Sequence, residues 1–85
     1  MITRKLAEQM LEAAFENNLT LNIEDFKKDP NTKLGNKYFD ESDSLVIAHD
    51  LEDQLGKKLT SPFWGDLLSL GNQTYAEIIK EIMKE

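Results

Sequence analysis

A chain of 85 residues supports one domain, and folding at this size buries only about 60–65% of the unfolded chain's surface, which leaves little stability in reserve. With no cysteine, neither disulfides nor a thiolate metal site can reinforce it, so packed helices around one core must do so. Sixteen acidic residues against ten basic ones give a net charge of −6, which excludes nucleic acid and anionic headgroups as partners and leaves basic protein surfaces.

The first predicted element is a helix from Ile2 to about Asn17. Ile2, Leu6, Met10 and Ala13 recur at helical spacing, and Ala7, Leu11, Ala14 and Phe15 widen the stripe into a broad apolar face. Thr3 suits its N-cap. Asn17-Asn18 suits its end, because asparagine tolerates the left-handed conformation that stops helices. From Leu19 to Phe39 no helical period is sustained. Asp29-Pro30-Asn31-Thr32 and Gly35-Asn36 are turn chemistry, while Leu21, Ile23, Phe26, Leu34, Tyr38 and Phe39 are apolar anchors. A long loop pinned to the core, with room for a short helix, is expected here.

The second helix is predicted from about Glu41 to Leu55, with Leu45, Ala48, Leu51 and Leu55 along its buried face and Ile47 beside them. Asp40, Glu41 and Asp43 crowd its first turn, where exposed amides and the helix dipole favour carboxylates. Gly56 suits the C-cap, and Lys57 and Lys58 follow at the favourable end. Between Leu59 and Asn72 a short third helix is expected. Pro62 lies in its first turn, and Phe63, Trp64, Leu67, Leu68 and Leu70 supply its apolar area. Thr74 and Glu77 form a capping box for the last helix, whose buried stripe is Ile78, Ile79, Ile82 and Met83. No strand pattern competes. The fold class is therefore all-α, with four helices, a long loop between the first two, and a short third.

Chemistry-bearing residues are few. His49 is the only histidine and reads as a partly exposed structural residue at the edge of the core. Glu52 and Asp53 are adjacent, so they face different directions and do not make an acid–base pair. The Asp40, Glu41, Asp43 cluster lacks the glycine and terminal glutamate of an EF-hand loop, which limits it to weak cation binding. Phe63 and Trp64 read as core area, with an anchor for a partner or the wall of an apolar pocket as the sharper alternative. No phosphate loop, catalytic triad or basic-aromatic surface is present, so no enzymatic activity is expected.

Four segments carry a resemblance. Pro30-Asn31-Thr32-Lys33-Leu34 lies in the loop, and Asp43-Ser44-Leu45 opens the second helix. Leu51-Glu52-Asp53-Gln54-Leu55-Gly56 closes that helix, and Thr74 to Ile78 starts the last one. Over nearly its whole length the chain resembles an atypical acyl carrier protein. The resemblance implies a four-helix carrier-like bundle with a serine bearing a 4′-phosphopantetheine arm, added by a separate phosphopantetheinyl transferase. The arm would hold an acyl or aminoacyl group as a thioester, the protein supplying an address and an apolar shelter. For the attachment point, Ser44 is favoured by its neighbours and Ser42 by its distance from the loop, while the core register of the helix places Glu41 there. The resemblance further implies docking to basic patches of acyl-handling enzymes, as in fatty acid or polyketide biosynthesis. Asp43, Val46, Asp50 and Asp53, which project away from the core stripe, would form the docking face. The alternative is an acidic interaction module of the same fold that carries no prosthetic group. With neither a signal-peptide pattern nor a membrane-length apolar run, a cytoplasmic monomer is expected.

Overall fold

The Thr3 hydroxyl accepts the Leu6 amide at 3.1 Å and so opens the first helix, α1, at Arg4–Asn18. The computed structural model describes the chain apart from Leu21, Tyr38, Asp66, Leu67 and Leu68, and at Asn36, Lys37, Gly65, Ser69 and Leu70 it describes the backbone alone. Two of the expected apolar anchors, Leu21 and Tyr38, thus lie outside the described residues. So do Leu67, Leu68 and the side chain of Leu70. In α1 the buried residues are Ala7, Met10, Leu11, Ala14 and Phe15. Leu6, placed in the stripe by its spacing, is instead 44% exposed, because the buried arc centres on Leu11 and Ala14. The helix does not end on a left-handed asparagine. Leu19 leaves in an extended conformation, and the Asn18 side-chain amide donates to the Ala14 carbonyl at 2.8 Å.

The stretch to Phe39 carries a short helix, α2, at Ile23–Lys27, capped by the Asn22 side chain accepting the Glu24 amide at 2.9 Å. Phe15 gathers this region onto α1. Its ring meets Phe26 edge-on at 5.4 Å and stacks on Phe39 at 5.8 Å. Beyond Pro30 the chain is laid across the start of the last helix. Leu34 N–H donates to the Gln73 carbonyl at 3.0 Å, Ala76 N–H donates to the Pro30 carbonyl at 3.3 Å, and Lys33 and Thr74 form an isolated antiparallel bridge. Leu34 is buried and begins a 3₁₀ turn at Leu34–Lys37.

The remaining elements are α3 at Glu41–Leu55, α4 at Pro62–Gly65, α5 at Ser69–Asn72 and α6 at Tyr75–Lys84. Helical residues stand on both sides of 66–68, which lie outside the described residues, where a short third helix was expected. Thr74 and Glu77 close the expected capping box on α6, and Tyr75, Ile78, Ile79 and Ile82 are buried there. Met83, expected in that stripe, is 38% exposed. Helix α1 packs against both α3 and α6, so the core runs between these three long helices, with Trp64 closing one side. Among the described residues all regular structure is helical, and no helix is long and apolar enough to cross a membrane.

Candidate functional site at helix α3

Asp40 caps α3 with a reciprocal box. Its carboxylate accepts the Asp43 amide at 3.1 Å, and the Asp43 carboxylate accepts the Asp40 amide at 3.0 Å. Glu41, Ser42 and Asp43 are therefore the first three helical positions. At about 100° per residue, α3 divides into four strips. Ser44, Ile47, Ala48 and Leu51 face the core. Ser42, Val46, His49 and Asp53 form the opposite strip, and all four are exposed.

Of the candidate arm-bearing serines, Ser44 is wholly buried. Its hydroxyl donates to the Asp40 carbonyl at 3.2 Å, alongside the Ser44 amide at 3.0 Å. A hydroxyl bonded back to the carbonyl four residues earlier is a common resting place for serine in a helix. An arm on that oxygen has no room unless the first turn of α3 opens, so Ser44 as placed does not fit the group. Ser42 does. It stands exposed on the outer strip, at the second position of the helix. Glu41 is exposed and opens the helix.

The four expected docking residues divide in the same way. Val46 and Asp53 are exposed on the outer strip. Asp43 is half-buried, with one carboxylate oxygen committed to the capping box. Asp50 turns toward α1, where its carboxylate accepts Asn18 Nδ2 at 2.9 Å and Gln54 Nε2 at 2.7 Å. The same two amides donate to the main-chain oxygens of Ala14 and Met10. Asp50 is thus a rivet between α1 and α3.

The fourth strip was not foreseen. Leu45, expected in the core stripe, is 40% exposed, because Ile47 and Leu51 set the buried register and bring the small Ser44 inward in its place. Leu45, Ala48, His49 and Glu52 face Leu59 and Trp64 across a groove of about 120 Å3. Trp64 is buried, and Phe63 meets it edge-on at 4.8 Å, so Trp64 is both core area and pocket wall. Ligand pockets for small molecules run to about 300–1,000 Å3, so this groove takes one side chain rather than a substrate. Glu52 closes one end, its carboxylate accepting the Leu59 amide at 2.9 Å and lying 3.5 Å from His49 Nδ1. The one sequence signal was Leu45 itself, a large apolar residue about 100° round the helix from Ser44.

Among the described residues no group of three His, Asp or Glu side chains is arranged to hold a metal ion. Comparison with protein-family models, curated proteins and solved structures gives no match.

Proposed function

We propose that the chain is a protein-interaction module of carrier-like helical fold, which offers the outer strip of α3 to a basic partner and carries no prosthetic arm. The burial of Ser44, with its hydroxyl bonded to Asp40, is the observation that carries this reading. The outer strip supplies what docking needs. Val46 is an exposed apolar contact and Asp53 an exposed carboxylate on that strip, and Leu45 and Glu41 stand exposed beside it on the same helix. A partner that places an apolar side chain between lysines or arginines complements this pattern. On a chain of net charge −6, such complementarity mainly speeds encounter and selects the partner.

A second reading is favoured by one observation, the exposure of Ser42 at the second position of α3. There an atypical acyl carrier protein would hold its 4′-phosphopantetheine arm, with the phosphate beside amides that have no partner within the helix. When bound, the arm supplies the thiol that carries an acyl or aminoacyl group. This chain's part would be to hold the arm on the strip that also carries Val46, His49 and Asp53, facing a transferase and acyl-handling enzymes.

Intact mass after incubation with coenzyme A and several broad-specificity phosphopantetheinyl transferases separates the readings. The interaction module keeps its mass. A carrier gains about 340 Da, fixed by the chemistry of the arm, and loses the gain in Ser42→Ala. The positive test of the module is a stoichiometric partner purified with it from its own host. Val46→Arg combined with Asp53→Lys should weaken that association by at least about tenfold, with Ser42→Ala leaving it intact. Retention of full affinity in the double variant would remove α3 as the docking face.

A further inference from the structure

The segment from Leu59 to Trp64 crosses the groove side of α3, and three carboxylates hold it down. Glu52, on α3, accepts the Leu59 amide at 2.9 Å. Glu81, on α6, accepts the Ser61 hydroxyl at 2.9 Å. Glu85, just beyond α6, accepts the Trp64 indole N–H at 3.0 Å. Acidic side chains on a small domain are normally well exposed, yet these three retain only 20%, 13% and 7% of their side-chain exposure. Each is also faced by a basic side chain, His49 at 3.5 Å, Lys84 at 3.4 Å and Lys57 at 3.6 Å respectively.

Glu85 is the most enclosed of the three and makes the most consequential bond. Trp64 is the buried wall of the groove, so whatever fixes its indole fixes the width of that groove. Lys57, in the turn after α3, pairs with the Glu85 carboxylate and also donates to the Glu85 main-chain oxygen at 3.0 Å. One residue thereby joins the end of α3, the end of α6 and the indole. The segment has little regular structure of its own to resist release. Leu59, Thr60 and Ser61 lie outside any helix, and the turn that follows is begun by the Ser61 carbonyl accepting the Trp64 amide and the Ser61 hydroxyl accepting the Phe63 amide.

We propose that residues 59–64 form a strap latched over the α3 groove, with Glu85 as the latch. Releasing the latch swings Trp64 away and opens the groove while α1, α3 and α6 stay folded. The strap is then a local opening unit of lower stability than the three-helix core. This holds whether the outer strip of α3 docks a partner or carries an arm, and its test uses neither.

Hydrogen exchange read by NMR on the intact chain is the first measurement. The Leu59 and Trp64 amides should exchange at least about tenfold faster than those of Ile47 and Leu51. In Glu85→Ala the strap rates should rise by a further factor of about ten, the effect of one lost charge-assisted hydrogen bond, with the core rates unchanged. Trp64 is the only tryptophan, so acrylamide quenching of its fluorescence reports the same opening, and the neutral dye Nile red reports access to the groove. Both should increase in Glu85→Ala. Glu85→Gln, which keeps a carbonyl acceptor for the indole, should stay near wild type. A common exchange rate for strap and core in the wild-type chain overturns the proposal, as does unchanged quenching in Glu85→Ala. Wholesale unfolding of that variant overturns it too, because Glu85 would then belong to the global fold rather than to a separable latch.

Discussion

Asp50 accepts two side-chain amides at once, and both amides reach on to main-chain oxygens of α1, so one carboxylate organises four hydrogen bonds, two of which cross between the helices. Asp50→Ala leaves the Asn18 and Gln54 amides short of an acceptor and should lower unfolding stability by about 1–2 kcal/mol. Asp53→Ala, on the exposed strip of the same helix, should stay within about 0.5 kcal/mol of wild type. Urea titrations of the two variants check the contrast, and equal midpoints would refute it. Sequence placed both residues on one acidic face. Asp50 could not be told apart because its partner Asn18 lies 32 positions away in the chain. Gly35 makes a similar point about backbone. A Cβ there would stand 2.7 Å from the Gly71 carbonyl oxygen, and neither main chain can yield like the tip of a flexible side chain. Gly35→Ala should therefore cost about 1–3 kcal/mol in the same titration. The sequence marked Gly35-Asn36 only as a break, since the close approach depends on how the loop packs against Gly71 in α5.

Helix ends other than the C-terminal end of α1 were legible because their chemistry is local. Thr3, Thr74 and Glu77, and Gly56, act on amides or carbonyls within a turn of themselves, and the structure finds each cap in place. Gly56 has φ +72°, and a Cβ at that position meets nothing within 4 Å, so only backbone conformation opposes a side chain there. Gly56→Ala should cost about 1 kcal/mol through the left-handed conformation alone. Gly56→Asn should recover part of that loss, because asparagine tolerates this region. Thermal melts of the two variants decide, and a neutral Gly56→Ala would mean that the end of α3 readjusts. Helix faces were less legible than helix ends. On α3 the apolar Leu45 and Ile47 compete for the inward arc, and a period alone does not choose between them. Tertiary packing through Ile47 and Leu51 chose, turning Leu45 out to line the groove and Ser44 in. How the stretch from Leu59 to Trp64 is held was beyond local reasoning. It is fastened by carboxylates from α3 and from the last helix and its end, 7 to 21 positions away.

At the scale of the molecule, the long-range pairs predict how stability responds to alkali. Tyr75, at the start of α6, donates to Glu8 of α1 at 3.3 Å, and it is buried. Burial pushes its phenol above the ordinary value of 10.0, and the Glu8 charge and hydrogen bond push it further. Lys27 is also raised, from 10.5. Burial pulls its ammonium down, but Glu12 and Glu24 outweigh that by holding its charge at 3.3 and 3.4 Å. Both groups thus bind their protons more tightly in the folded chain than in the unfolded one. Their contribution is fully present below the unfolded values and is lost as pH rises through the folded ones. The urea midpoint should therefore hold steady through about pH 9 as far as these two groups are concerned, and decline above about pH 10. Tyr75→Phe keeps the buried ring and removes the phenol. It should lower neutral stability by no more than about 1 kcal/mol and make the alkaline decline visibly shallower. An alkaline slope identical in the two proteins would show that the junction of α1 with α6 does not sense the phenol at all.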